Sequence, residues 1–210
     1  MQHYHFDTLI IGSGLAGLTL ALNLAQSQKV AIITKRTLHD SSSIWAQGGI
    51  AAVLSMEDSS DTHMRDTLVA GAGLCDETIT RYVVENGPQA IKWLISQGVS
   101  FTRDNNSETG YHLTQEGGHS VRRVIHTKDA TGKAVQLTLS KKICAHPNIT
   151  MLEHHIAVDL ITSSKLPYHT DKHHSRCYGA YVLDIKADKI HTIAAHNTVP
   201  ATGGAGKVYL

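Results

Sequence analysis

The chain has 210 residues, 41% of them hydrophobic, which is enough for one sizeable core or for one core with an attached lobe. Lys and Arg total 19 against 18 for Asp and Glu, so the net charge of +1 provides no field that would collect nucleic acid or anionic lipid. No apolar run approaches the roughly 20 residues of a membrane helix, and the first residues lack a secretory signal, so we expect a cytoplasmic protein without nucleic-acid or membrane partners.

The start of the chain predicts two buried strands with a helix between them. Residues 6–11 and 30–34 are largely apolar or β-branched, which is typical of buried strands. Residues 15–26 place apolar side chains at helical spacing. The order strand, helix, strand is a βαβ unit, and it predicts an α/β fold with a Rossmann-like parallel sheet.

Two helices are predicted next, over residues 61–98. Asp61 and Asp76 are the expected N-terminal caps, and Gly98 is expected to end the second helix. In chain order, the remaining predictions are a polar loop at 103–110, a helix at 131–146 stopped by Pro147, strands at 149–152 and 156–161, a hydrophilic hairpin tip or loop at 166–176, a meander at 178–183 and 189–194, and a glycine-rich closing segment at 198–204.

A glycine-rich hexad separates the first strand from its helix: Gly12, Ser13, Gly14, Leu15, Ala16 and Gly17. In this context the first glycine permits a tight turn, the second lets a pyrophosphate approach the backbone, and the third lets helix and strand pack closely. Free N–H groups at the helix start, reinforced by the helix dipole, attract phosphate. The hexad therefore predicts a dinucleotide site.

The end of the second strand leaves the identity of the dinucleotide open. An acidic residue commonly binds the ribose hydroxyls at this position, but here Thr34 is followed by Lys35 and Arg36. A basic residue there favours phosphate, so NADP, NAD and FAD all remain candidates from this position alone.

The segment that follows, residues 40–52, is rich in Ser, Ala and Gly. Its central residues are Ser42, Ser43, Ile44, Trp45, Ala46, Gln47, Gly48 and Gly49. This run resembles the flavin-contacting segment of the superfamily that contains succinate dehydrogenase, fumarate reductase and L-aspartate oxidase. The resemblance implies FAD as cofactor, with small residues that let main-chain N–H groups reach the flavin ring and serine hydroxyls that bond phosphate or ring atoms.

The mode of flavin attachment also follows from this resemblance. The respiratory dehydrogenases of the superfamily carry flavin covalently on a histidine in this segment. Ser42 stands at the matching position and cannot form that bond. We therefore expect non-covalent FAD.

Further segments resemble the L-aspartate oxidase family in order and approximate spacing. They are residues 67–76, 111–120, 129–132 and 201–204, and with the preceding motifs they cover essentially the whole chain. Pro200 departs from the family pattern, which usually has a strand-compatible aliphatic residue at this position. Proline removes a ladder donor and so puts the end of the last strand in question.

Glu116 is the predicted substrate-facing catalytic residue. The corresponding position in the dicarboxylate dehydrogenases is apolar, whereas a carboxylate binds a substrate ammonium and repels a plain dicarboxylate. On composition alone Glu116 reads as a solvated loop residue; the flanking Gly117 and Gly118 and the resemblance favour the substrate role. His119, Arg122 and Arg123 are candidates for carboxylate binding, with ordinary salt bridges or phosphate contacts as the alternative.

Other histidines and the cysteines have simpler interpretations. His154, His155 and the histidines within 169–174 lack the spacing of a hydrolytic zinc site, so we expect solvated loops and no metal. The three cysteines are odd in number and widely spaced, which favours reduced thiols.

The resemblance implies oxidation of L-aspartate to iminoaspartate, with oxygen or fumarate reoxidising FAD and quinolinate synthase taking the product toward NAD. It also implies that residues 1–210 form an incomplete FAD-binding domain, that the capping domain with the remaining active-site residues lies beyond them, and that this portion alone is inactive. Two alternatives remain: a succinate dehydrogenase or fumarate reductase-type flavoprotein, and a non-catalytic dinucleotide-binding module using NAD or NADP.

Overall fold

The computed structural model describes residues 3–128, 130–166 and 175–204. The helices and strands in chain order are β1 (His3–Ile11), α1 (Leu15–Leu24), β2 (Val30–Thr34), β3 (Ile50–Ala51), α2 (Ser60–Ala70), α3 (Glu77–Ser96), β4 (Leu113–Thr114), β5 (Val124–Ile125), α4 (Thr131–Ala145), β6 (Ile149–Glu153), β7 (His155–Thr162), β8 (Cys177–Asp184) and β9 (Lys189–Pro200). Single 3-10 turns occur at Ser42–Trp45 and Ser163–Lys165.

The first of two compact units comprises residues 1–43 and 139–210, and a six-stranded sheet is its centre. The strand order is β6-β2-β1-β9-β8-β7. The first four strands are parallel, and β8 and β7 add an antiparallel meander. All five residues of β2 are buried, as expected for a central strand of a parallel sheet. The predicted βαβ start and α/β class are confirmed.

The core of this unit forms where β1, β2, β8 and β9 bring apolar side chains to the same side of the sheet. Its buried members are Leu9, Ala31, Ile33, Ala180, Val182, Ile193 and Ala195. They come from chain segments that are far apart in sequence, so the core links the amino-terminal βαβ unit to the later meander. Helix α1 buries Gly17, Leu18 and Ala21.

The second unit, Ile44–Thr138, contains helices α2 and α3 and a small antiparallel sheet. The sheet has the order β3-β5-β4, and each of its strands is two residues long. In the register, Ile125 of β5 faces Ile50 on one side and Leu113 on the other. This sheet was not predicted, because two-residue strands carry no readable periodicity.

One predicted helix cap is wrong. Helix α2 is capped by Ser59, whose side chain accepts a hydrogen bond from the Thr62 amide, and Asp61 lies in the first turn. Serine and aspartate are equally good caps, so the position of the first turn decides between them. The cap at Asp76 is confirmed, since its side chain accepts from the Ile79 amide, and Gly98 follows the end of α3 with a φ of +94°.

The last strand extends further than predicted and includes Pro200. Residue 200 lies opposite Ile11 of β1, and the Ala201 amide donates to the Ile11 carbonyl at 2.8 Å. Adjacent residues of a strand direct their amides to opposite sides, so the missing amide of Pro200 would point away from β1. On that side β8 pairs with β9 only as far as Ala194, so among the paired residues no ladder bond is lost.

Candidate functional site

The glycine hexad occupies the turn between β1 and the start of α1, as predicted. Gly12 has a φ of +122°, and a Cβ there would collide with the Ala201 carbonyl. A Cβ on Gly17 would collide with the carbonyl oxygen of Gly12. These two glycines are therefore required by the fold of the turn itself.

Gly14 is different, because the protein leaves space beside it. A Cβ on Gly14 would meet only the Ser43 Oγ, at an ordinary 3.6 Å, and its φ is −70°. Gly14 is also the N-cap of α1 and supplies no capping side chain, while the Leu15 amide donates to Ser43 Oγ at 3.3 Å. This open helix start fits the phosphate cradle that the hexad predicts.

The end of β2 is tied to the glycine turn. The buried Ser13 donates its hydroxyl hydrogen to Thr34 Oγ1 at 3.0 Å, so its side chain is engaged within the protein. Lys35 is exposed, and within residues 3–128, 130–166 and 175–204 no carboxylate pairs with it, whereas Arg36 pairs with Asp40 at 3.0 Å. Lys35 is therefore available to a ligand.

Exposure is unusually high in the segment that resembles a flavin-contacting run. Trp45 is 78% exposed, and the other exposed members are Ser42, Ala46, Gln47 and Gly48, with Ser43 and Ile44 partly covered. Gly49, by contrast, is packed so closely against β5 that a Cβ would collide with the Ile125 carbonyl and the Val124 side chain. The run is thus anchored at Gly49 and open before it.

Glu116 lies beside this open run. Its Oε1 is 3.4 Å from the position a Cβ on Gly48 would take, and its side chain is exposed. The residue sits in the turn between β4 and β5, where the His119 amide donates to the Glu116 carbonyl at 3.1 Å. The Glu116 amide in turn donates to His119 Nδ1 at 3.4 Å. The structure thus places the predicted substrate-facing carboxylate next to Gly48.

Arg123 does not have a ligand-facing position. Its side chain is fully buried, with two hydrogen bonds to Asp58 at 2.9 and 3.0 Å and one from Nη1 to Asp66 at 2.7 Å. Of the two interpretations of Arg123, the salt bridge is the one observed. Arg122 is exposed, and in the described part of the chain no carboxylate pairs with it.

Asp66 joins this ion pair to the turn that carries Glu116. Its Oδ2 accepts from both the amide and the hydroxyl of Ser120, each at 2.8 Å. Partial burial opposes ionisation of Asp66, but the hydrogen bonds from Ser120 and from Arg123 outweigh it and lower the pKa of this carboxyl. Asp66 therefore remains a carboxylate at neutral pH.

His63 of α2 lies against His119, with ring centroids 6.3 Å apart and planes at 85°. It is buried, and among the described residues its Nδ1 has no hydrogen-bond partner. Burial is the main cause that lowers the pKa of His63, and the neighbouring Arg123 cation lowers it further. His63 is accordingly kept neutral near pH 7.

Sequence reasoning missed Asp58, Asp66 and Ser120. Their partner Arg123 was identified, but the carboxylates stand 65 and 57 residues away from it in the sequence. The available signal was indirect: adjacent arginines at 122 and 123 require acidic partners if either is buried.

The expectation of a solvated loop at His154 and His155 is wrong: His154 forms a one-residue turn with a φ of +58°, His155 begins strand β7, and both are partly buried because the chain passes directly from β6 into β7. His155 Nε2 is 3.9 Å from Asp184 and its Nδ1 faces the Glu153 carbonyl, while the histidines within 169–174 lie outside the described residues. In the described part of the chain, no three His, Cys, Asp or Glu side chains come together as metal ligands. No helix within residues 3–128, 130–166 and 175–204 combines the length and the apolar character that crossing a bilayer requires.

Comparison with known proteins gives consistent results. Two of the similar relatives are L-aspartate oxidase 1 of Ralstonia nicotianae, 60% identical over 98% of this chain and 38% of the relative, and L-aspartate oxidase of Pseudomonas aeruginosa, 51% identical over 100% and 39%. The chain thus spans about two fifths of the length of these relatives. A quinol fumarate reductase chain of E. coli superposes with a TM-score of 0.87 at 30% identity, covering 100% of this chain and 34% of that one.

A family model described as an FAD binding domain matches residues 7–209. This match includes the glycine turn, the exposed run at residues 42–48 and the Glu116 turn. It therefore agrees with the three local features on which the prediction of a flavin site depends. The chain belongs to the FAD binding domain family.

Proposed function

We propose that this protein oxidises L-aspartate to iminoaspartate using non-covalent FAD, with oxygen or fumarate as the final electron acceptor. The observation that carries the proposal is a carboxylate, Glu116, beside the open run that resembles a flavin-contacting segment. The similarity to proteins named L-aspartate oxidase supports the same substrate. In this proposal the glycine turn and the open run bind the cofactor, and Glu116 binds the substrate.

The glycine turn and the exposed run would hold the cofactor. Within the turn formed by residues 12–17, the start of α1 offers main-chain N–H groups to the diphosphate, and Gly14 leaves open space for it. Lys35, which is exposed and has no acidic partner among the described residues, is a cation for the nucleotide end of FAD, and residues 42–49 offer hydroxyls and main-chain groups to the flavin. When bound, FAD supplies the two-electron acceptor that protein side chains lack.

Glu116 would select the substrate. L-aspartate loses a hydride from Cα and a proton from its nitrogen when it becomes iminoaspartate, so the ammonium end has to be held at the site of reaction. A carboxylate at Glu116 attracts that ammonium and repels a dicarboxylate that lacks one. This difference favours L-aspartate over succinate.

We place the reaction in the cytoplasm, as a supplier of iminoaspartate to quinolinate synthase in NAD biosynthesis. All three cysteines, Cys75, Cys144 and Cys177, are free thiols, which suits a reducing compartment. Iminoaspartate is an imine and hydrolyses readily in water. An enzyme that uses it next would have to capture it before this hydrolysis.

A succinate-oxidising or fumarate-reducing flavoprotein is the second candidate, supported by the likeness to the fumarate reductase chain. Anaerobic mixing separates the two functions. The natural full-length protein, loaded with FAD, is mixed with L-aspartate or with succinate, and bleaching of the flavin absorbance is followed. We expect rapid bleaching by L-aspartate and little by succinate; the reverse pattern would establish the second candidate, and a protein that never binds FAD would overturn both.

The same preparation tests the mode of attachment. Acid precipitation of the yellow protein should leave FAD in the supernatant, because Ser42 stands at the position of the histidine that would form the covalent bond. Yellow colour retained in the washed pellet would contradict non-covalent binding.

A further inference from the structure

The turn that carries Glu116 is joined within itself through His119, whose carbonyl accepts a hydrogen bond from Gln115 Nε2 at 2.5 Å, but none of its own described bonds holds the Glu116 carboxylate. Glu116, Gly117 and Gly118 are exposed, and Gly118 has a φ of +89°. Within the turn, the described bonds of Glu116 both use its main chain: its carbonyl accepts from the His119 amide, and its amide donates to His119 Nδ1. Two glycines beside an exposed glutamate leave the carboxylate poorly defined unless the turn is fixed at one end.

Ser120 provides that fixed end. Its amide and its hydroxyl both donate to the same oxygen of Asp66, at 2.8 Å each. Asp66 belongs to helix α2, so these bonds join the turn to a regular element 54 residues earlier in the chain.

Asp66 is fixed in turn by buried charge. Arg123 is fully buried between Asp58, whose side chain is 1% exposed, and Asp66, which is 13% exposed. The planar guanidinium bonds Asp58 through two nitrogens and Asp66 through the third, an arrangement that allows one geometry for all three groups. Arg123 also lies only three residues beyond Ser120, so both ends of this chain segment meet the same carboxylate.

We infer that Ser120 and Asp66 are positioning residues that hold Glu116 where it meets the substrate ammonium. The inference rests on the proposed function and deepens it by naming what determines the preference for an amino acid over a plain dicarboxylate. The buried Arg123 maintains Asp66 in place, and Asp66 holds the turn through Ser120.

The test uses Ser120→Ala in the natural full-length protein with FAD bound. This change removes one of the two bonds to Asp66 and keeps the amide bond. The concentration of L-aspartate that gives half-maximal flavin reduction should rise about fivefold, as expected for one hydrogen bond, while the limiting rate changes by less than about twofold. Inhibition by succinate should be unchanged, because succinate has no ammonium for Glu116 to hold.

Three further variants complete the experiment. Ser120→Thr keeps the hydroxyl and should restore the wild-type value. Asp66→Asn puts the amide group of asparagine, itself a donor, where Ser120 and Arg123 also donate. The half-saturating L-aspartate concentration should therefore rise more, by about tenfold or more. Ser96→Ala, an exposed serine after which α3 ends, is the matched control and should have no effect.

The outcomes are distinguishable. If Ser120→Ala weakens succinate as much as L-aspartate, Ser120 acts on the dicarboxylate itself and the inference is wrong. It is equally wrong if Ser120→Ala binds L-aspartate as tightly as the wild type. If the wild-type flavin is not reduced by L-aspartate at all, the proposed function fails and the inference fails with it.

Discussion

Glu116 is the acidic residue of the turn at residues 115–120, and its carboxylate is unburied and beside Gly48. Replacing it by glutamine keeps the shape and removes the charge. Since a hydrogen bond to a charged group is stronger than a neutral one, Glu116→Gln should raise the half-saturating L-aspartate concentration by about tenfold to a hundredfold. Succinate should bind as well as before or better.

Flavin reduction titrations with both ligands measure this effect. Glu85→Gln is the matched control, because Glu85 is an exposed glutamate of α3 and pairs only with Arg81 among the described residues. Equal losses for L-aspartate and succinate in Glu116→Gln would contradict an ammonium-sensing role.

Gly12 and Gly14 stand two residues apart and should respond differently to alanine. In Gly12→Ala the new methyl group would collide with the Ala201 carbonyl, and alanine would have to adopt a positive φ. We therefore expect a loss of about 2 kcal/mol or more in the free energy of unfolding. Gly14→Ala meets only Ser43 Oγ at 3.6 Å, so the unfolding free energy without FAD should change by less than about 1 kcal/mol. FAD affinity should nevertheless fall at least about tenfold, because the methyl group occupies the phosphate's space.

Urea denaturation of the apo-protein and quenching of FAD fluorescence give the two quantities separately. An unchanged FAD affinity in Gly14→Ala would mean that the phosphate does not approach this glycine. An unchanged stability in Gly12→Ala would mean that the Ala201 carbonyl can move away.

Local signals made several elements predictable from the sequence. The first βαβ unit and the cap at Asp76 depend on residues within a few positions of one another, and both were predicted with nearly correct bounds. The three two-residue strands of the small sheet were not predictable, since each is defined only by its partner. The continuation of β9 to Pro200 also depends on where a neighbouring strand ends.

Helix α2 offers a test of which residue caps it. Ser59→Ala removes the side-chain acceptor of the Thr62 amide, bonded at 3.1 Å, and should lower the unfolding free energy by about 1 kcal/mol. Asp61→Ala removes a first-turn charge that is exposed, and should cost about 0.5 kcal/mol or less.

Chemical denaturation of both variants ranks the two positions, and Ser59→Asp should restore most of the loss because aspartate is also a good cap. A larger loss of unfolding free energy for Asp61→Ala than for Ser59→Ala would show that Asp61, the cap predicted from the sequence, is the residue that caps α2.

For the whole molecule, the features that sequence could not supply are those that join distant segments. The glycine turn and Glu116 were identified from local motifs, yet the buried Asp58, Arg123 and Asp66 group appears only in the folded chain. The same holds for His63 against His119, two histidines 56 residues apart that no spacing rule connects. These groups set the local charge environment of His63, which the net charge of +1 does not describe.

The stability of the protein should therefore depend on pH through His63. Its pKa in the folded state is lowered from 6.5, mainly by burial and further by the Arg123 cation and by His119, while Asp58 and Asp66 act in the opposite direction. The unfolded chain then binds more protons than the folded one between the lowered pKa and about 6.5, so the unfolding free energy rises with pH in that window. The stabilisation is fully present above about pH 6.5 and is lost as the pH falls toward the folded-state pKa.

Denaturation midpoints of the wild type and of His63→Gln, measured from pH 7.5 down to 5, isolate this contribution. The wild type should lose stability relative to the variant as the pH falls, because glutamine cannot take up the proton. Asp66 does not confuse the comparison, since its pKa is lowered from 3.8 and its loss of stability comes at more acidic pH. Parallel curves for the two proteins would show that His63 is protonated as easily in the folded state as in the unfolded chain, in which case burial does not keep it neutral.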